Sequence, residues 1–305
     1  MTTTAAEHPG QVPRGAADKS RSPLLESLLR LRKNKIAMAG LVIISLFLIM
    51  ALFSPWIAPH DPLKQSLYDK LQPPVWEEKG TWTYPLGTDD FGRDLLSRII
   101  YGSRISMLVG VVAVTISLFF GTLAGAVAGF YGGIVDNIIM RLMDILLAFP
   151  SILLAIVIVA FLGPSLENAM IAIGVVSIPR YARIVRGSVL EEYSKDYVQS
   201  ARALGARDTR LIFVHILPNC LAPLIVQTTL GFASAILEAA ALSFLGLGAQ
   251  PPTPEWGAML ANGRALILRA WWAVTFPGLM ILCAVLGFNL LGDGLRDALD
   301  PRLRE

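Results

Sequence analysis

Residues 187–219 read GSVLEEYSKDYVQSARALGARDTRLIFVHILPN, a charged, helix-forming stretch set between apolar segments of membrane length. A charged side chain at the centre of a bilayer costs about 3 kcal/mol, so this stretch belongs in water, between two spans. From Leu190 to Leu204 the pattern predicts one helix. Tyr193, Tyr197, Ala201 and Leu204 recur at spacings of three and four and so share a face. Gly205 permits a positive φ and a sharp corner, and Asp208 is placed to cap the short helix that follows. Leu217 and Pro218 close the unit. Two readings stand: a compact foot that docks in a groove on another protein, or an amphipathic element on the inner membrane surface held by Arg202, Arg207 and Arg210.

Outward from that insert, composition fixes the class. The 305 residues are 54% hydrophobic and 16% charged, with a mean hydropathy of +0.58, which excludes an ordinary soluble domain and indicates an all-α polytopic membrane protein. The net charge of +3 does not point to nucleic acid, because the basic residues are dispersed and sit beside apolar spans. Cys220 and Cys283 show no metal or disulfide spacing and read as small apolar residues.

A helix needs about 20 apolar residues to cross the hydrocarbon. Six segments are expected to do so, at Ile36–Ala58, Ile105–Phe130, Ile138–Leu162, Ala169–Ile184, Leu221–Leu247 and Ala273–Leu291. The fourth is short and carries Pro179 and Arg180 near one end. Placing the N-terminus inside puts seven Lys and Arg before the first span, one at the start of the third, seven from Arg180 at the end of the fourth through the insert to Arg210, and three at the C-terminus, 18 of the 26. The positive-inside rule thus favours a multi-pass protein with cytoplasmic N- and C-termini. Trp56, Trp76, Trp82, Trp256, Trp271 and Trp272 all then fall on the outer side, as interfacial anchors do. The chain divides into a tail (1–35, with 1–22 lacking apolar periodicity and expected disordered), a first span (36–58), an outer loop with an interfacial helix (59–104), a transmembrane core (105–298) containing the insert at 187–219, and a cytoplasmic C-terminus (299–305). Pro301 is expected to end the last helix.

Two outer segments carry further pattern. In LGTDDFGRDLLSRIIYGSRIS (86–106), Thr88 is placed to cap a helix with Asp89 and Asp90 in its first turn, and Leu95, Leu96, Ile99 and Ile100 to cover the ends of the spans. A calcium loop is the other reading of its acidic start, but EF-hand spacing is missing. In LSFLGLGAQPPTPEWG (242–257), Gly246 and Gly248 end the fifth span and three prolines stiffen the exit around Trp256, so Gln250 and Trp256 are candidates for an outer gate or docking loop. Glu238 lies inside the fifth span. A carboxylate there is either a proton-coupling group or one that stabilises the bundle. The sequence contains no Gly-Lys pair and hence no P-loop, and no GxSxG; its histidines, His8, His60 and His215, lie outside the spans. Hydrolase and metalloenzyme chemistry are thereby disfavoured.

The insert resembles the coupling loop of permease subunits in bacterial ABC importers. In that family Glu-Ala-Ala, three residues, Gly, nine residues, Ile, one residue and Leu-Pro recur; here Gln199, Ser200 and Ala201 fall on the triplet, Gly205 on the glycine, His215 on the isoleucine, and Leu217 and Pro218 on the ending. The departures at Gln199, Ser200 and His215, and segments 86–106 and 242–257, are similar to the dipeptide, oligopeptide and nickel branch. The resemblance implies half of a translocation pathway for peptides in the inner membrane, with a second, different permease chain, two ATP-binding subunits and an extracytoplasmic solute-binding protein as partners. It implies no catalytic, cofactor or metal site in this chain, ATP and magnesium residing on partner subunits, and coupling through Tyr197, Gln199, Ser200, Ala201, Gly205, His215, Leu217 and Pro218. The rivals are a secondary transporter using Glu238 as its proton site and a scaffold without transport.

Overall fold

The computed structural model describes residues 31–299. The expectations for the tail before residue 31 and for Pro301 lie outside the described residues. Within them the chain is helical, without a strand. Its α-helices are α1 (Lys35–Leu52), α2 (Ser54–Ile57), α3 (Leu95–Tyr131), α4 (Gly133–Leu147), α5 (Ser151–Leu162), α6 (Leu166–Tyr193), α7 (Asp196–Ala203), α8 (Asp208–Arg210), α9 (Leu221–Phe244), α10 (Trp256–Gly263) and α11 (Trp272–Leu299). Between α8 and α9 lie a π turn, Leu211–Ile216, and a 3-10 turn, Leu217–Cys220. Four helical stretches are long and apolar enough to cross a membrane, or five if α4 and α5 form one broken span.

The structure corrects several sequence boundaries. The third apolar segment is not one straight helix: α4 and α5 meet at 90°. Pro150 supplies the reason, since it biases Phe149 away from helical backbone and has no N–H to donate. At 12 residues, α5 is about 18 Å long, too short to cross about 30 Å of hydrocarbon alone. The fourth segment is longer than expected. Helix α6 runs through Pro179 to Tyr193, so the first turns of the supposed insert belong to it, and the helix expected over Leu190–Leu204 breaks at Ser194 and Lys195.

Segment 59–94 forms a loop, and the helix expected to start near Thr88 starts at Leu95 as the first turn of α3. Asp94 caps it, accepting from the Ser97 N–H at 3.0 Å. Gly92 at φ +71° holds the preceding residues out of helical register. Thr88 instead ties the loop together: its hydroxyl donates to the Asp69 carbonyl at 2.5 Å and accepts from the Gln72 N–H at 2.9 Å.

Helix α3 packs along α6 through a stripe of small residues. A Cβ on Gly121 would lie 2.4 Å from Tyr181 Cβ, one on Gly125 2.3 Å from the Ala182 oxygen, and one on Gly129 2.9 Å from the Arg186 oxygen. Small residues of this kind let membrane helices approach where the hydrophobic effect does not drive them together. Around this axis lie three apolar clusters. One joins α1, α3, α9, α10 and α11 around Phe47, Leu95, Trp256 and Ile281. The second joins α3, α5, α6 and α9 around Val109, Val159 and Ile173. The third, around Phe130, Val185, Val189, Val198 and Ile216, fastens the foot to α3 and α6.

Candidate functional site

The foot is assembled around Glu192, at the end of α6. Its carboxylate pairs with the Lys195 ammonium and accepts the Tyr197 hydroxyl proton at 2.6 Å. The Asn219 amide, from the far end of the insert, donates to the Tyr197 oxygen at 3.0 Å and to the His215 carbonyl at 2.8 Å. One residue of α7 thereby bridges α6 to the 3-10 turn that precedes α9. Burial and then the adjacent Glu192 carboxylate push the Tyr197 phenol up to about 12. The Gln199 amide donates to the Tyr193 carbonyl at 2.7 Å, satisfying an open carbonyl at the end of α6. Arg202 donates to the Tyr193 hydroxyl.

At the corner, Gly205 adopts φ +83° and donates its N–H to the Arg202 carbonyl at 2.9 Å. The Ala206 N–H returns to Ala201 at 3.1 Å, closing α7 as left-handed C-terminal glycines do. Nothing lies within 4 Å of where a Gly205 side chain would project. Leu204 is 89% exposed beside it. Ser200 and Pro218 are exposed, while Ala201, His215 and Leu217 are half-buried.

Two expectations are corrected. Asp208 does not cap α8, which makes no side-chain cap and has Arg207 in that position. The face expected to carry Tyr193, Tyr197, Ala201 and Leu204 is divided by the break at Ser194. What holds α7 to the bundle is Val198, fully buried against the third cluster. Val198, Glu192 and Asn219 were missed because their roles depend on contacts across the insert, and the apolar Leu204 beside a glycine corner was the legible sign of an exposed tip.

At the opposite end of the bundle, Asp89 is buried and pairs with Arg93 at 2.6 Å and with Arg98 at 3.5 Å. Asp90 lines a pocket with Asp89, Arg93, Arg98 and Asn262, and burial, then the Asp89 charge, raises its carboxyl. Arg98 also donates to the carbonyls of Pro62 and Pro252 at 3.1 and 3.3 Å, joining the loop before α3 to the one before α10. Trp256 is no exposed gate. It is fully buried, donates its indole N–H to the Ile99 carbonyl at 3.1 Å and meets Phe47 edge-on. Glu255, whose carboxylate caps α10 through the Gly257 and Ala258 N–H groups, turns the helix so that the indole enters the core. Gln250 is exposed and staples its own turn through the carbonyls of Gly246 and Gly248. Glu238 is half-buried in α9, far along that helix from the foot.

The foot residues are thus brought together, the acidic and indole residues gather at the other end, and Glu238 stands between the two groups.

Residues 121–305 match the family described as binding-protein-dependent transport system inner membrane component, and residues 22–74 match the N-terminal TM domain of oligopeptide transport permease C. The chain is 56% identical to the di/tripeptide transport system permease protein DppC of Pseudomonas aeruginosa, over 93% of each. It is 54% identical to the dipeptide transport system permease protein DppC of Escherichia coli, over 93% of this chain and 95% of that one. Among solved structures, inward-facing conformations of the MetNI methionine ABC transporter align with a TM-score of 0.55 and 18% identity, over 67% of this chain and 96% of that one, a likeness of fold. These matches favour an ATP-driven importer over proton coupling through Glu238, and the chain belongs to the binding-protein-dependent inner membrane components, the permeases of ABC importers.

Proposed function

We propose that this chain forms one half of an inner-membrane path for di- and tripeptides, and that the insert at 187–219 receives the movement of separate ATP-binding subunits. The cargo rests on relatives more than half identical over nearly the full length and named as di/tripeptide and dipeptide permeases. The coupling role rests on one observation above the others: a foot locked internally by Glu192, Lys195, Tyr197 and Asn219 that presents the exposed Leu204 at its tip. A rigid foot transmits a push, whereas a frayed linker absorbs it. In this assembly the chain has six spans, α4 with α5 supplying the third and α6 the fourth, and both termini in the cytoplasm. Its partners are a second permease, two subunits that bind ATP and magnesium, and an external solute-binding protein that meets the loops around Gln250, Asp89 and Asp90.

Reconstitution of the full transporter tests this. Labelled dialanine is expected to enter vesicles in an ATP-dependent manner and nickel is not. Gly205→Trp is expected to lower uptake by about tenfold or more while membrane insertion persists, because the left-handed backbone disfavours any side chain and a large one blocks the tip. Wild-type uptake by that variant would falsify the coupling role, and nickel uptake in place of peptide would remove the cargo assignment.

A further inference from the structure

Two charged side chains, one on α6 and one on α9, join no ion pair among the described residues. Arg180 is fourteen residues into α6, after the apolar run IAIGVVSIP. Arg183 and Arg186 on the same helix are paired with Asp144 and Asp136, whereas Arg180 is exposed and joins no ion pair among the described residues. The other is Glu238, whose Oε2 is buried with no hydrogen-bond partner. Its polar neighbours are the Ser151 hydroxyl and the Arg180 guanidinium, which lies beyond ion-pair distance. Ionisable groups at membrane depth are costly and are kept where they line a path.

Beside Arg180 the wall is polar. Arg180 shares a pocket with Ser117, Ser177, Tyr181, Gln227 and Ser234. Ser234 and Glu238 are four residues apart on α9, one turn, or about 6 Å of rise. A cation and an anion facing the same region, with hydroxyl and amide groups beside them, complement a molecule carrying a carboxylate at one end and an ammonium at the other.

We propose that Arg180 and Glu238 form a transit site for a short peptide with free termini, the guanidinium taking the α-carboxylate and the Glu238 carboxylate the α-ammonium. The inference rests on the peptide reading given above. Arginine suits the role because its planar fork grips a carboxylate through two hydrogen bonds. The site selects by the charged termini and leaves the side chains unread.

The experiment uses the complete transporter with its binding protein in proteoliposomes, with labelled dialanine as the probe. Arg180→Gln and Glu238→Gln are each expected to lower maximal uptake by about tenfold, the loss of one charge-assisted contact, with ATP hydrolysis stimulated by the loaded binding protein retained. R180C is expected to regain uptake after modification with a positively charged aminoethyl thiosulfonate and not with its negatively charged sulfonatoethyl counterpart; the wild type, with Cys220 and Cys283, controls for reaction elsewhere. Wild-type uptake by R180Q overturns the site. So does equal rescue by both reagents, or loss of the partner permease on copurification, which would assign Arg180 to a contact between chains. A wild type that carries no dialanine overturns the peptide reading and the site with it.

Discussion

Tyr197 holds the foot closed through a single proton. Its hydroxyl gives that proton to Glu192 and takes one from Asn219, so ionising the phenol would replace a donor with a second negative charge beside the carboxylate. Burial and that carboxylate raise the phenol from 10.0 to about 12. A raised value in the folded state means that the contribution of Tyr197 to stability is complete below the unfolded value of about 10 and is lost as pH rises through about 12. Phenolate absorbance of wild type minus that of Tyr197→Phe is expected to show a tyrosine titrating near 12, and a transition near 10 would refute the contact. The corner at Gly205 was legible from backbone freedom, whereas helical spacing put Tyr197 on a face that the break at Ser194 divides. The partners of Tyr197 were not legible, because Glu192 and Asn219 stand at opposite ends of a folded-back segment whose closure no local pattern announces.

At the level of the element, the α3–α6 contact tolerates no side chain along its glycine stripe. Gly125→Val is expected to destabilise the protein by about 1–3 kcal/mol or more, as overpacking does, since its Cβ would meet the Ala182 oxygen at 2.3 Å. Gly187→Ala on α6 is the contrast: open space surrounds that position, and replacing a mid-helix glycine there is expected to stabilise by about 0.5–1 kcal/mol. Thermal unfolding in detergent separates the two. Length and hydropathy made the long spans readable from the sequence, but boundaries failed where local signals competed. LLAFPSILL looks like uninterrupted apolar helix, and only the backbone demand of Pro150 marks the right angle. In TDDFGRD, Thr88, Asp89, Asp90 and Asp94 can each cap a helix; the turn at Gly92 and the tie from Thr88 to Asp69 leave the task to Asp94. Trp256 resembled a gate because aromatic residues near prolines mark exposed loops, yet the Glu255 cap sends it inward.

Across the whole molecule, α4 is fastened to α6 at two points. Arg186 grips Asp136 with both donors at 2.5 Å, and Arg183 meets Asp144 at 2.7 Å with both side chains about half exposed. The bidentate, less exposed pair is the stronger, at about 1 kcal/mol. Asp136→Asn is therefore expected to speed amide exchange in α4 several-fold and Asp144→Asn to change it less; equal effects would show that the fork geometry contributes nothing. Helix α4 then turns through 90° into α5, whose first residue, Ser151, lies beside Glu238. Under the coupling proposed above, α4, pinned to α6 at two points, carries a push from the foot as far as the right angle beside Glu238. The bend at Pro150 is then the hinge of that path, the place where a stiff helix pair can give way sideways while α6 stays straight.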